Sequence, residues 1–427
     1  MISYVSRLCG KINPLSLKEY KENGGFKGFE NALFKMSSNE VIDMIKDSNL
    51  RGRGGAAFPT GLKWQFVASE KADIKYVICN ADEGEPGTFK DKVLLEGCPM
   101  QIIEGMMIAA YTVKARKGYI YIRGEYPKSL ELLKKSIDIL KNEGYLGNNI
   151  LGQDFSFDIE VRSGAGAYVC GEETALIESI EGNPGRSRFK PPYPPNNGLW
   201  GKPTLVNNVE TLANIPLILS NGAEAFKKYG AKSSSGTKLI SVCGNVVNKG
   251  VYEIEFGTTL KEIIYDICGG IKNNKKLKLV QLGGSSGPCL PKSLLNLKLD
   301  FDELKKYDIG LGSGSILVVD ETICVLDFIK TITQFFNHES CGKCTTCREG
   351  NRHIIKIIDR ITSGNGSKRD LELIENISSI MNKASLCGLG QAAPTAIFTT
   401  LKYFNEEYIE HINGKCRAKV CNFKGEV

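Results

Sequence analysis

Three thiols at short, equal intervals, Cys341-Gly-Lys-Cys344-Thr-Thr-Cys347, are the sharpest chemical signal in the sequence. A chain that turns round a compact object can direct all of them inward. A fourth thiol, Cys387, follows in Ser385-Leu-Cys-Gly-Leu-Gly390. Four thiolates supply one ligand for each iron of a [4Fe–4S] cube. Gly342, Gly388 and Gly390 let the backbone approach and donate N–H groups to sulfide, and Lys343, Arg348 and Arg352 offset negative charge. Structural zinc is the rival, but it more often uses two Cys-x-x-Cys knuckles. A triple knuckle with one distant partner fits iron–sulfur better. A second grouping, Cys416-Arg-Ala-Lys-Val-Cys421 with His411 upstream, is too small for a cube. It reads either as ordinary thiols in a tail or as half of a zinc or cluster site that another chain completes.

Glycine-rich segments carry the rest of the chemistry. Gly52-Arg-Gly-Gly55 offers N–H groups and a fixed cation to a phosphate. Phe58, Lys63, Trp64 and Phe66 follow, which suits a flat charged ligand such as a nucleotide; one of Trp64 and Phe66 is expected in the core. Asn80-Ala-Asp-Glu-Gly-Glu-Pro-Gly87 sets Asp82, Glu83 and Glu85 at the end of a strand. Acids so close repel unless a metal, a hydroxyl network or proton transfer uses them. Gly164-Ala-Gly-Ala-Tyr168 opens onto Cys170-Gly-Glu-Glu-Thr174, whose acids also suit a helix N-terminus. Asn207, Asn208 and Thr211 add groups that can grip the polar edge of an aromatic cofactor.

The elements around these loops alternate. Helix patterns span Pro99–Val113, Pro127–Asn142 and Tyr168–Ile180, with strands at 75–80, 118–122 and 157–162. Such alternation predicts an α/β layer with a largely parallel sheet, its ligand site at the strand C-termini. From Thr237 short strands surround one helix, Thr259–Cys268, and from Asp320 only helix patterns remain. With 427 residues the chain holds roughly two to four domains. Hydrophobic residues at 42% and a net charge of +7 from mixed charges argue for a folded protein without a nucleic-acid tail. No apolar run reaches the roughly 18 residues of a membrane span, and Met1 to Lys11 has no signal-type core. The expectation is a cytoplasmic protein with no nucleic acid and no membrane insertion. Of the 14 cysteines, Cys9, Cys79, Cys98, Cys243, Cys268, Cys289 and Cys324 read as small buried hydrophobes.

Four motifs occur in order: Arg51 to Trp64, Asn80 to Asp91, Gly164 to Thr174 and Glu339 to Gly350. Together they resemble the NADH-binding FMN/[4Fe–4S] flavoprotein subunit of respiratory complex I and its soluble relatives in NAD-linked or electron-bifurcating hydrogenases and formate dehydrogenases. The resemblance runs from about residue 30 to about residue 400. It implies a Rossmann-like FMN/NADH domain over residues 1–236, a β-grasp module over 237–319, a four-helix iron–sulfur bundle over 320–413 and a cysteine-containing tail over 414–427. It implies FMN contacts from Gly52, Arg53, Gly54, Lys63, Asn80, Asp82, Glu83, Gly171, Glu172, Asn207, Asn208 and Thr211. NAD(P)H would be met by Phe58, Phe66, Glu85, Glu173, Lys190 and Tyr193, with Glu85 and Glu173 positioning the nicotinamide, and Tyr168 is a further cofactor-binding residue. Tyr193 stands where many members have Phe, and Ala57 where many have Gly.

The reaction so implied passes a hydride from NAD(P)H to FMN and single electrons to the cluster. It needs no catalytic histidine, and none of the three histidines lies in a glycine loop. The tail resembles the linker before a ferredoxin domain, and the wording Glu83 to Lys90 points the same way, toward the soluble branch over complex I. Expected partners are a thioredoxin-like [2Fe–2S] subunit and a larger multi-cluster iron–sulfur subunit, with zinc at the tail shared with the latter. Two non-catalytic readings stand beside this one. A structural iron–sulfur scaffold would be brown but inert to NADH. A ligand-binding β-grasp module would carry no flavin.

Overall fold

The computed structural model describes residues 2–423. The last four residues of the expected tail lie outside them. Strands β1 (Tyr76–Ala81), β2 (Lys117–Arg123), β3 (Asp158–Gly164) and β4 (Thr204–Asn208) form a sheet in the order β3-β2-β1-β4, parallel throughout. Each central strand is apolar on both sides, as a sheet covered on both faces requires. Val77, Cys79, Ile120 and Ile122 enter one core with the buried helix Pro99–Val113; Ile78, Tyr119, Tyr121 and Val206 enter another with the C-terminal helices.

A second sheet follows: β5 (Thr237–Gly244), β6 (Gly250–Glu255), β7 (Leu277–Leu282), β8 (Cys289–Pro291) and β9 (Ser315–Asp320), in the order β8-β7-β9-β5-β6. Only the β9–β5 pair is parallel. Its core is separate and gathers Ile240, Val242, Leu260, Ile263, Val280 and Ile316. Helices then run from Val325–Glu339 through Thr345–Thr362 and Lys368–Ala384 to Asn405–Ile412, each burying an apolar stripe such as Ile354, Ile357, Ile358 and Ile361.

Two expected helices differ. The helix over Tyr168–Ile180 is broken into a 3₁₀ turn, Tyr168–Gly171, and a helix, Glu173–Ile180. Glu172 causes the break: its carboxylate accepts from Thr174 N and Ala175 N, both at 3.0 Å, and so caps a new N-terminus. The helix over Thr259–Cys268 is a short, wide turn of π type at Glu262–Ile267. Strands β4, β8 and β9 carried no reading in the sequence; all three are short and largely buried.

Candidate functional site

The parallel strands end together, and the motif loops leave from their C-terminal edge. β1 runs into Asp82, β3 into the loop before Tyr168, and β4 ends on Asn208, which caps the helix Val209–Asn221 by accepting from Glu210 N at 2.9 Å. The glycine loop 52–55 lies over this edge: a side chain on Gly54 would meet the Asn208 Cβ at 3.0 Å. Glycine there is a steric need. Asn80 Nδ2 donates to the Gly171 carbonyl at 2.8 Å, which ties the acidic loop to the second glycine segment. Next to them Lys63 donates to Glu173 at 2.9 Å, and Lys190 bridges Glu172 at 2.7 Å and Glu173 at 3.2 Å. Phe58, Phe66 and Tyr193 stand exposed, with the Phe58 and Phe66 rings 6.4 Å apart. Trp64 is the one in the core, and its Nε1 donates to Asn207 Oδ1 at 2.9 Å.

The three neighbouring acids face three ways. Asp82 is half-buried, but its Oδ2 is fully buried and has no hydrogen-bond partner; burial pushes its carboxyl up to about 7. An orphaned acceptor at the strand edge fits a hydroxyl-bearing ligand. Glu83 is turned inward, where it accepts from Asp91 N at 2.8 Å, Lys92 N at 3.2 Å and the Tyr126 hydroxyl at 3.1 Å. Glu85 accepts from Ser286 N at 2.9 Å and from the Tyr168 hydroxyl. Arg53 also faces away from the loop's open side. Its guanidinium is buried, donates to the carbonyls of Ser235 at 2.8 Å and Arg51 at 3.1 Å, and lies 4.6 Å from the Phe256 ring centroid. Thr211 is buried as well and accepts from Arg53 N at 2.8 Å. Arg53, Glu83, Asn207 and Thr211 therefore brace the site from behind, while Gly52, Gly54, Lys63, Asp82, Asn208, Glu173 and Lys190 flank it.

The cysteine loop docks on the same edge. Tyr168 N donates to Glu339 at 2.9 Å, its ring packs 5.2 Å from that of Phe335, and Lys343 reaches the Ser187 carbonyl at 2.8 Å. Cys347 is buried, with the thiols of Cys344, Cys387 and Cys341 around it; burial first, then these neighbours, push its thiol up to about 11. A side chain on Gly390 would press on Ser385 and the Cys347 Cβ. These four cysteines do not crowd to the spacing of a single ion, which suits a bulkier cluster.

Single-ion spacing occurs elsewhere. Cys324, His411, Cys416 and Cys421 bring their ligand atoms within 4.8 Å of one another, the only such group of three or more among the described residues. His411 Nε2 lies 3.2 Å from Cys324 Sγ and 3.4 Å from Cys421 Sγ, and its Nδ1 is 2.6 Å from the Glu407 carbonyl. This corrects two expectations. Cys324, expected as a small buried hydrophobe, lies in a group of four possible donors, and the tail group, expected as half of a site at most, has its fourth candidate donor within this chain. Sequence distance hid it: Cys324 caps the helix Val325–Glu339, far upstream of its partners.

Comparison with known proteins agrees with this geometry. Residues 45–217 match the Nuo51 FMN-binding domain, residues 238–310 the SLBB domain, and residues 327–411 the NADH-ubiquinone oxidoreductase-F iron–sulfur binding region. The chain is 46% identical over 417 residues to the NADP-reducing hydrogenase subunit HndC of Solidesulfovibrio fructosivorans, covering 97% of this chain and 85% of that one. The chain belongs to the NADH-binding FMN/[4Fe–4S] flavoprotein family. Another relative, an NADH-quinone oxidoreductase subunit of Escherichia coli (strain K12), is 41% identical over 94% of this chain and 91% of its own. Among solved structures, an NAD+-reducing [NiFe]-hydrogenase in the H2-reduced state superposes with a TM-score of 0.83 at 36% identity, over 93% of this chain and 66% of that one. As a member of this flavoprotein family the chain is an NAD(P)H-dependent oxidoreductase subunit whose cofactors are FMN and a [4Fe–4S] cluster.

Proposed function

We propose that this flavoprotein is the diaphorase of a soluble, NAD-linked or electron-bifurcating assembly, a hydrogenase, formate dehydrogenase or ferredoxin oxidoreductase, working in the cytoplasm. Bound FMN would take a hydride from NAD(P)H and hand single electrons to the cluster. The residues of this chain supply position and charge. Gly52, Gly54 and Asn208 cradle the flavin phosphate and ribityl chain, with Lys63 as the cation and Asp82 accepting a ribityl hydroxyl. Asn80, Gly171 and Glu172 hold the flavin edge. Arg53, Glu83, Asn207 and Thr211 fix these contacts from behind. Phe58, Phe66 and Tyr193 stack on the nucleotide, Lys190 meets its phosphates, and Glu85, Glu173 and Tyr168 align the nicotinamide. Cys341, Cys344, Cys347 and Cys387 ligate the [4Fe–4S] cluster.

The single observation that carries this reading is the docking of the cysteine loop on the strand edge through Glu339, Tyr168 and Lys343. This contact supports the reading because it sets the cysteine loop against the strand edge that would hold the flavin. The layout is read as a Rossmann-like unit (1–236), a β-grasp module (237–319), a four-helix bundle (320–413) and a tail (414–427). Cys324, His411, Cys416 and Cys421 make up a three-cysteine, one-histidine donor set of the kind that holds structural zinc, with the Glu407 carbonyl orienting the imidazole. Partners would be a thioredoxin-like [2Fe–2S] subunit and a larger iron–sulfur subunit. Among the described residues no single helix is long and apolar enough to cross a membrane.

Visible spectra before and after anaerobic NADH test the reading. The expected result is bleaching of both flavin and cluster, with about one FMN and about four irons per chain. A protein that is brown but unchanged by NADH would be the structural scaffold; one without flavin would be a binding module only. Co-purification with quinone-reducing membrane subunits would favour complex I.

A further inference from the structure

The geometry points to Ser286, on the turn between β7 and β8, as a positioning residue for the Glu85 carboxylate. The proposal rests on the diaphorase reading. Both oxygens of Glu85 are engaged: Oε1 accepts from Ser286 N at 2.9 Å, and Oε2 accepts from Ser286 Oγ at 3.2 Å and from the Tyr168 hydroxyl. An acid at the end of β1 thus takes its direction from an element 201 residues further along the chain.

The turn is built for close approach. Gly284 sits at φ +92°, and any side chain on it would run into Glu85. Gly287 N closes on the Gly284 carbonyl at 2.9 Å, Gly283 N on the Ser315 carbonyl at 2.7 Å, and Gln281 Nε2 holds the Ser285 carbonyl at 3.3 Å. The turn is therefore rigid at its base. The same sheet fixes the rest of the acidic loop, through Thr88 Oγ1 with Ser313 Oγ at 2.7 Å and Phe89 N with Ser241 Oγ at 2.9 Å. Glu85 is half-buried, and without the Ser286 hydroxyl its Oε2 keeps only the Tyr168 hydroxyl while Oε1 stays on Ser286 N, so the carboxylate is freer to rotate about these remaining anchors. The second sheet becomes part of the redox machinery by holding one carboxylate still through this glycine turn. A small misplacement of an aligning group costs rate steeply, since hydride transfer depends on a near-attack geometry.

The test uses the full chain loaded with FMN and cluster. Ser286→Ala, Ser286→Thr and Gly284→Ala are compared for NADH-dependent dye reduction, flavin and iron content, and visible spectrum. Ser286→Ala should lower kcat about five- to tenfold with KM for NADH changed by no more than about twofold, because alignment and not anchorage is disturbed. Ser286→Thr should recover most of the rate, and Gly284→Ala should lose more than Ser286→Ala, with flavin and iron content unchanged in all three. A responsive parent protein with Ser286→Ala within about twofold of it would overturn this proposal alone. So would a loss that merely tracks lost flavin. A parent protein inert to NADH would overturn the diaphorase reading and this proposal together.

Discussion

Glu85 and Glu173 have the same side chain and opposite electrostatics. Burial raises the Glu85 carboxyl, and the hydrogen bonds from Tyr168 and Ser286 only partly counter it. Burial also acts on Glu173, but Lys63 and Lys190 outweigh it and hold that carboxyl below its ordinary range. Glu173 is thus the fixed charge of the pair. Glu85→Gln should slow NADH reduction of the flavin more than it weakens flavin retention; equal loss of both in a dialysis and stopped-flow comparison would remove Glu85 from the nicotinamide side. Arg53 calls for a different expectation from the phosphate contact its loop suggested. Its guanidinium is packed on Phe256 and hydrogen-bonded to Ser235 and Arg51 carbonyls. Arg53→Ala should therefore lower unfolding stability by about 3 kcal/mol, on the scale of a large buried truncation, with flavin loss following from the loosened loop. Chemical unfolding of flavin-free protein separates the two effects: an unchanged midpoint with lost flavin would restore the direct phosphate contact.

At the scale of elements, two buried acids join helices to their surroundings. Glu210, at the start of the helix after β4, lies 2.8 Å from Lys90 and 2.6 Å from Lys238 of β5, and Lys90 reaches Asp91, which accepts from Asn208. Glu210 touches both buried lysines and is the only one of the two carboxylates that reaches Lys238, so Glu210→Gln should cost about 3–5 kcal/mol, as breaking a buried ion pair does. A midpoint shift well under 1 kcal/mol, in the range of exposed pairs, would show that the network is solvated. Glu104, on Pro99–Val113, accepts from the Tyr20 hydroxyl at 2.5 Å, Phe26 N at 2.9 Å and Phe29 N at 3.0 Å. Burial nonetheless pushes its carboxyl up to about 7 from an ordinary 4.5. The folded protein then keeps a proton that the unfolded chain has released. The stability from this group is complete below the ordinary value and is lost as pH rises through about 7. Glu104→Gln should flatten the decline in melting temperature between about pH 5 and about pH 7; an unchanged slope would assign the decline to other groups.

For the whole molecule, the two cysteine sites make separable demands. Cys324→Ser should remove about one zinc per chain and leave about four irons in place. Metal analysis that shows both lost together would mean that the two sites share one structural unit. Zinc there would clamp the residue that precedes the helix Val325–Glu339 to the last helix and the segment after it, closing the helical region on itself. The isolated chain should reduce dyes with NADH yet show no turnover with ferredoxin, hydrogen or quinone at native rates, since one cluster provides an exit but no onward path. Native-rate turnover by the chain alone would rule out the partner subunits.

Much of this was legible in the sequence, because some signals are local. The Cys341–Cys347 spacing, the glycine segments and the acidic run after β1 each need only neighbouring residues to reveal their chemistry. Helices Pro99–Val113 and Pro127–Asn142 were equally plain, each opened by a proline at its first position. What the sequence could not decide is direction. Asp82, Glu83 and Glu85 are almost adjacent, but a strand end and the turn after it leave one at the strand edge, one under a helix and one against the second sheet. Cys324 was indistinguishable from any buried thiol until helix packing brought its sulfur beside His411. Ser286 carried no signal at all, since a serine in a glycine turn acquires a role only from the carboxylate that tertiary packing sets against it. Residue type and spacing fix which chemistry is available; long-range packing alone fixes which groups meet, because a side chain's partners lie where the chain returns in space.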